Sequence, residues 1–235
     1  MNFLKLPFIF ILYWYLWKTL YLRIDSTKLG YSFNELLLYL FDVQWISFCI
    51  SANISEKISS DIRSGTLSIY LARPVHYLPA QFAGFFGQII FVLVIGIIPL
   101  VCVHWLLSSK IPNPLCFFPV LLGAGVVHFL LEACIGSTSF WMDKVFGLKH
   151  LLMTFFNLAG GKLIPISLFP SWFIKISFLS PLRAIYFEPV RTLASQNSIT
   201  TVSTTIVLQG VWVILLTFIL FRIWKKGAVV YDAAQ

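Results

Sequence analysis

His128 and Glu132 stand inside an otherwise apolar run, four residues apart, so one helix face carries both. Burying a charge in such a run is costly, and an ionisable residue kept there is a functional hypothesis by default. Ala124 and Gly136 extend the stripe on either side. The resulting small–polar–polar–small face suits close contact with another helix. Two readings stay open. The pair is proton-sensitive or faces a substrate, or it forms an interhelical hydrogen bond that fixes packing, with Glu132 neutral. Asp42 and Gln44, near the end of another apolar run, admit the same two readings.

Catalytic signatures are largely missing. The nearest string to a phosphate-binding loop, AGGKL at 159–163, has Leu163 where a hydroxyl must hold magnesium. The chain is therefore not expected to bind ATP in a loop of this kind. H-E-x-x-H and G-x-S-x-G are absent as well, which weighs against a zinc or serine membrane protease. His76, His104, His128 and His150 are far apart in sequence and make no metal-binding pattern. Cys49, Cys102, Cys116 and Cys134 lie in or beside apolar runs without C-x-x-C spacing, and read as small packing residues. No cofactor and no metal are expected on this chain.

The elements that must hold these residues are hydrophobic helices. Of 235 residues, 59% are hydrophobic and only 11% charged, and the mean hydropathy is +0.87. A soluble domain keeps roughly a quarter of its residues charged. Here the bilayer must be the solvent for most of the surface. About six apolar stretches approach the length of a spanning helix, at residues 3–22, 36–54, 81–107, 115–142, 148–169 and 202–224. They are continuous rather than alternating, so helices are expected and not a barrel. The fold class is all-α, a single polytopic membrane domain. RIDSTKLG follows the first stretch in place of small residues before a cleavage site, so that stretch is read as an uncleaved span.

Two segments do not fit a simple span. Residues 55–79 are polar and amphipathic and are expected to form a helix lying along the membrane. Residues 170–198 carry Pro170, Pro181 and Pro189 yet stay rich in Trp172, Phe173, Ile176 and Leu179. They are expected to lie in the interface or dip part-way into the membrane from the outer face, as a re-entrant segment. Clustered Tyr13, Trp14, Tyr15 and Trp17 read as a belt anchor.

A net charge of +8 comes from cations scattered between apolar runs. No block is dense enough to grip a nucleic-acid backbone, so membrane lipid headgroups are the expected anionic partners. Lysines and arginines favour one side only slightly. FRIWKKG, just after the last stretch, is the strongest vote for cytoplasmic termini in a cell inner membrane.

The string RSGTLSIYLARP, within EKISSDIRSGTLSIYLARPV at 56–75, resembles the conserved loop of the ABC type-2 exporter permeases. GGKLIPISLFPSWFIKISFLSPLRAIYFEPVRTL at 160–193, with Pro165, Pro170 and Pro181, is similar to that family's fifth span and outer-face segment. The resemblance covers nearly the whole chain. It implies a half-transporter: two permease chains, identical or related, each docked on a separate ATP-binding cassette subunit that holds ATP and magnesium. The 56–75 loop would pass the ATPase's motion into the bundle, with Glu56, Asp61, Arg63 and Gly65 as transmitting residues and none of them catalytic. Family members carry an amphipathic segment before the first span. Here the apolar run starts almost at Met1, which implies a shortened or missing interfacial helix. Two other classes stay in view. One is a membrane-embedded lipid-modifying enzyme using His128 and Glu132 as acid and base. The other is a non-transporting membrane scaffold.

Overall fold

The computed structural model describes residues 5–23, 30–71, 76–108, 114–142, 147, 149, 151, 152, 154, 157, 159–194 and 199–233. Every regular element among them is helical. α1 spans Lys5–Tyr21 and α2 spans Phe33–Cys49. A capping box starts α2. Glu35 N donates to Ser32 Oγ (3.3 Å) and Ser32 N donates to Glu35 Oε2 (2.8 Å). After a break at 51–53 come α3 (Ile54–Arg63) and α4 (Thr66–Leu71), separated by Gly65 at φ +75°. That left-handed conformation is the one glycine takes without strain. α5 runs Tyr77–Ser108 and α6 Pro114–Ser137, extended by a 3₁₀ turn at Thr138–Phe140.

The described residues between 147 and 159 are helical up to Ala159, where a turn at Gly160 and Gly161 follows. A 3₁₀ turn at Ile166–Leu168, α7 (Ser171–Ser177), a π-turn at Arg183–Phe187 and α8 (Glu188–Ala194) complete the irregular end of the bundle. α9 is a single helix of 35 residues, Ile199–Ala233.

α6 is the hub. Val120, Leu121, Ala124, Val127 and Ala133 are fully buried along it, and α9, α3, the π-turn and α8 all pack on it. α2 lies on α5, with α1 outside α2. Trp45 Nε1 donates to Gly96 O across the α2–α5 seam (2.9 Å), where Gly96 leaves room for the indole. α5 and α9 turn Phe91, Val94, Ile98 and Leu106, and Val207, Ile214, Phe218 and Phe221, outwards. Large aliphatic and aromatic side chains on the outside of long helices are the surface a bilayer requires.

Four helical stretches are long and apolar enough to cross a membrane: Phe33–Arg63, Tyr77–Leu107, Cys116–Phe140 and Ile199–Tyr231. α1, with 17 residues, is at the lower end of the spanning range. The fifth expected stretch is not one helix to Phe169, because it breaks at Gly160 and Gly161. The expected amphipathic helix is present as α3, which buries Ile54, Ser55, Ile58, Ser59 and Ile62 and exposes Glu56, Lys57, Ser60 and Arg63. The last three residues of the RSGTLSIYLARP string, Ala72, Arg73 and Pro74, lie outside the described residues, as do Lys28, Lys110, Lys144 and His150.

Candidate functional site

The N-terminus of α3 lacks the usual local cap. Asn53 occupies the capping position and its side chain makes no capping hydrogen bond. The missing acceptor comes from α6. Ser55 donates twice to Glu132 Oε2, from its backbone N at 3.0 Å and from its Oγ at 2.6 Å. A carboxylate is favoured here because the first backbone N–H groups of a helix are unsatisfied and carry partial positive charge. Gly136, one turn further along α6, makes the approach feasible. A Cβ there would sit 2.9 Å from both Ile58 Cβ and Ser55 Cα.

Lys149 closes the cluster. Its buried ammonium lies 3.6 Å from Glu132 Oε2 and 3.2 Å from Glu56 Oε1. Glu132 therefore meets two donors and a cation, and Glu56, half-exposed on α3, is tied through Lys149 to α6. His128 shares the expected face with Glu132 but forms no hydrogen bond to it. Its ring lies beside Phe85 of α5, centroids 6.5 Å apart. Both residues are buried on α6; Glu132 holds α3, while the His128 ring packs towards α5.

The other end of α3 is held by aromatic residues. The Tyr77 hydroxyl, at the start of α5, donates to Asp61 Oδ2 (2.7 Å). The Tyr77 ring stacks on Trp224 of α9, with centroids 5.5 Å apart and planes 14° from parallel. Phe140 meets Trp224 and Tyr231 edge-on, at 5.4 and 6.2 Å. Gly227 packs so closely on Phe140 that any side chain would collide with it. Arg63 Nε donates back to Ser59 O (3.2 Å), and Gly65 faces the Tyr231 hydroxyl. Of the four expected transmitting residues, Glu56 is linked to α6, Asp61 to α5, and Gly65 lies beside α9.

Two more polar centres lie elsewhere in the bundle. Asp42 of α2 and His104 of α5 are both buried, with His104 Nε2 2.9 Å from Asp42 Oδ1. At the far end from α3, Arg183 Nε donates to Glu188 Oε1 (2.7 Å) and Nη1 donates to Ser177 Oγ (2.9 Å). The Arg183 guanidinium also covers the Phe178 ring at 3.5 Å. Arg191 pairs with Glu188 Oε2 at 3.1 Å. Gln209 of α9 donates to Val120 O (2.9 Å) and Ala184 O (3.1 Å), joining α9, α6 and the π-turn.

Sequence reasoning named Glu132 and Glu56 but not Lys149, which joins them, nor Ser55, Tyr77 and Trp224. The signal for Lys149 was its position between α6 and the AGGKL break, ten residues before Ala159, where a helix would bring it back onto the polar stripe. Nothing in sequence spacing pairs Asp42 with His104, because the contact depends on how α2 crosses α5.

A family model for the ABC-2 family transporter proteins matches residues 8–235. No curated protein and no solved structure matches the chain. A match over nearly the full length, on a helical bundle with crossing-length apolar helices, makes this a multi-pass membrane component of transport: the chain belongs to the ABC-2 family of transporter proteins.

Proposed function

We propose that the chain is the permease subunit of an ATP-binding cassette exporter. The nucleotide and its magnesium bind a separate ATPase subunit, and two permease chains pair across an inner membrane. The bundle has six crossings, including α1 and the stretch that breaks at Gly160, with both termini cytoplasmic. α7, the π-turn and α8 form a segment re-entering from the outer face. The ATPase subunit docks on the exposed polar face of α3, formed by Glu56, Lys57, Ser60 and Arg63.

The observation that carries this reading is the clamp between Ser55 and Glu132. A loop helix that merely rested on headgroups would need no buried carboxylate from the most enclosed helix of the bundle. Through Glu132, a displacement of α3 is passed directly to α6. Through Tyr77 and Trp224 it is passed to α5 and α9. Short rigid elements joined to packed helices in this way transmit motion because packed cores shift between discrete arrangements.

The test is ATP hydrolysis by the co-purified ATPase subunit in reconstituted membranes. Glu132→Ala is expected to leave membrane insertion and ATPase binding intact and to reduce permease-dependent ATPase stimulation roughly fivefold or more. Wild-type stimulation in that variant, or no ATP-binding cassette subunit recovered with the wild-type chain, rejects the reading.

A further inference from the structure

One cation serves two carboxylates at the start of α3. The Lys149 ammonium stands 3.2 Å from Glu56 Oε1 and 3.6 Å from Glu132 Oε2. Glu132 does not rely on Lys149 for hydrogen bonding, because Ser55 already gives two donors to the same oxygen. Glu56 has water as an alternative, since its side chain is 44% exposed. A lysine present only to neutralise Glu132 would have no use for Glu56. A flexible ammonium with three donors can instead bridge two acids on different elements, here α6 and α3.

Lys149 belongs to neither of those elements. It lies in the fifth apolar stretch, where the described residues from Lys149 to Ala159 are helical. Ten residues of helix cover about 15 Å. The helix ends at a break that is itself fastened. Gly161 takes φ +80°, and Tyr39 of α2 donates to its carbonyl at 2.7 Å. A Cβ on Gly161 would stand 2.8 Å from that hydroxyl. Non-helical backbone at membrane depth is tolerated where protein packs on it in this way. The 3₁₀ turn at Ile166–Leu168 follows, and its Ser167 Oγ lies 2.7 Å from the Tyr31 hydroxyl just ahead of α2. The stretch is thus attached through Lys149 to the first turn of α3. Past its break it is attached to the beginning of α2, the end remote from α3.

We propose that Lys149 is the positioning residue through which a displacement of α3 reaches the fifth stretch and, beyond the break, the turn at Ile166–Leu168. The inference rests on the permease reading. It adds a third route to those through α6 and through α5 and α9. A helix fastened at both ends to packed elements moves as a rod, and the left-handed Gly161 is the joint where that movement changes direction. Glu56, on the face where the ATPase docks, is the point at which the rod is pushed.

The experiment uses the full-length chain without its native cysteines and with Ser167→Cys, placed with its ATPase subunit in lipid nanodiscs. A water-soluble maleimide labels position 167 with and without ATP and vanadate, and ATPase stimulation is measured beside it. Nucleotide trapping is expected to change the labelling rate about fivefold or more in this parent chain. Lys149→Met and Glu56→Gln should each abolish the change while the ATPase subunit is still recovered, and Lys149→Arg should keep it. The two substitutions together should do no more than either alone, because both remove the same contact. Glu56→Gln leaves the pair of Lys149 with Glu132 in place, so it decides if Lys149→Met does not fold. Lys149→Met decides if Glu56→Gln loses the ATPase subunit. A lysine that only neutralises Glu132 gives a different split: Lys149→Met lowers the unfolding temperature, and Glu56→Gln responds as the parent does. That split overturns the proposal. So does an undiminished response in both variants, or a parent with normal ATPase stimulation and no response at 167. Each of these leaves the permease reading standing. Recovery of no ATPase subunit with the parent chain removes that reading and this route together.

Discussion

Gly136 shows how much of this molecule turns on single atoms. The bond from Ser55 to Glu132 requires α3 and α6 to meet at backbone distance, and only a residue without a side chain permits it. Gly136→Val forces a Cβ to within 2.9 Å of Ser55 Cα, where backbone must move rather than a flexible side-chain end. The expected result is loss of the clamp, read as a lower unfolding temperature in detergent and weaker ATPase stimulation than the wild type. Unchanged values of both would show that α3 does not depend on this approach. Gly65 acts through conformation, not space, since its nearest neighbour, the Tyr231 hydroxyl, is 4.0 Å from a Cβ position. At φ +75° a β-branched residue costs on the order of 1–2 kcal/mol. Gly65→Val is therefore expected to reorient α4 and to uncouple ATP hydrolysis from transport while insertion stays normal. Transport at the wild-type rate would exclude a lever role for this turn.

At the scale of elements, α3 is held by two kinds of mount. Its N-terminus has an electrostatic one on α6, and its C-terminal half an aromatic one on α5 and α9. Trp224→Ala removes the ring on which Tyr77 stacks and the partner of Phe140. ATPase stimulation should fall several-fold while membrane insertion and the yield of folded chain stay unchanged; a simultaneous loss of all three would indicate global damage instead. The existence of α3 was legible because Ile54, Ile58 and Ile62 recur at helical spacing among polar residues. The break after Ala159 was not legible as a break. Gly160 and Gly161 stand in an apolar run, and only the hydrogen bond from Tyr39 identifies the place where the chain leaves the helix. Likewise Glu132 was visible as a buried acid, but its partner Ser55 belongs to another element 77 residues away, and no local pattern carries such a pairing.

The whole molecule has two polar ends joined by apolar helices. Glu56 marks one end and Lys175 on α7 the other. Glu56→Cys and Lys175→Cys, introduced singly into a chain without its native cysteines, are expected to label from opposite sides with a membrane-impermeant maleimide. The cysteine at 175 should react in intact cells, and that at 56 only after permeabilisation. Labelling of both from the same side would require another count of crossings. Overall class was readable from composition alone, since 11% charged residues cannot cover a water-soluble surface of this size. Which helices touch was not, because lipid-facing and protein-facing leucines are chemically alike.

α9 has a geometric consequence for that architecture. It is an unbroken rod of 35 residues, about 52 Å long at 1.5 Å per residue, pinned near Thr205 by Glu188 and near Trp224 by Tyr77. From Thr205 to Tyr231 is roughly 39 Å, so a tilt of about 10° around the first pin would swing the far tip through about 7 Å. An angle too small to disturb the packing at one membrane face thus becomes an arc wider than a helix radius at the other.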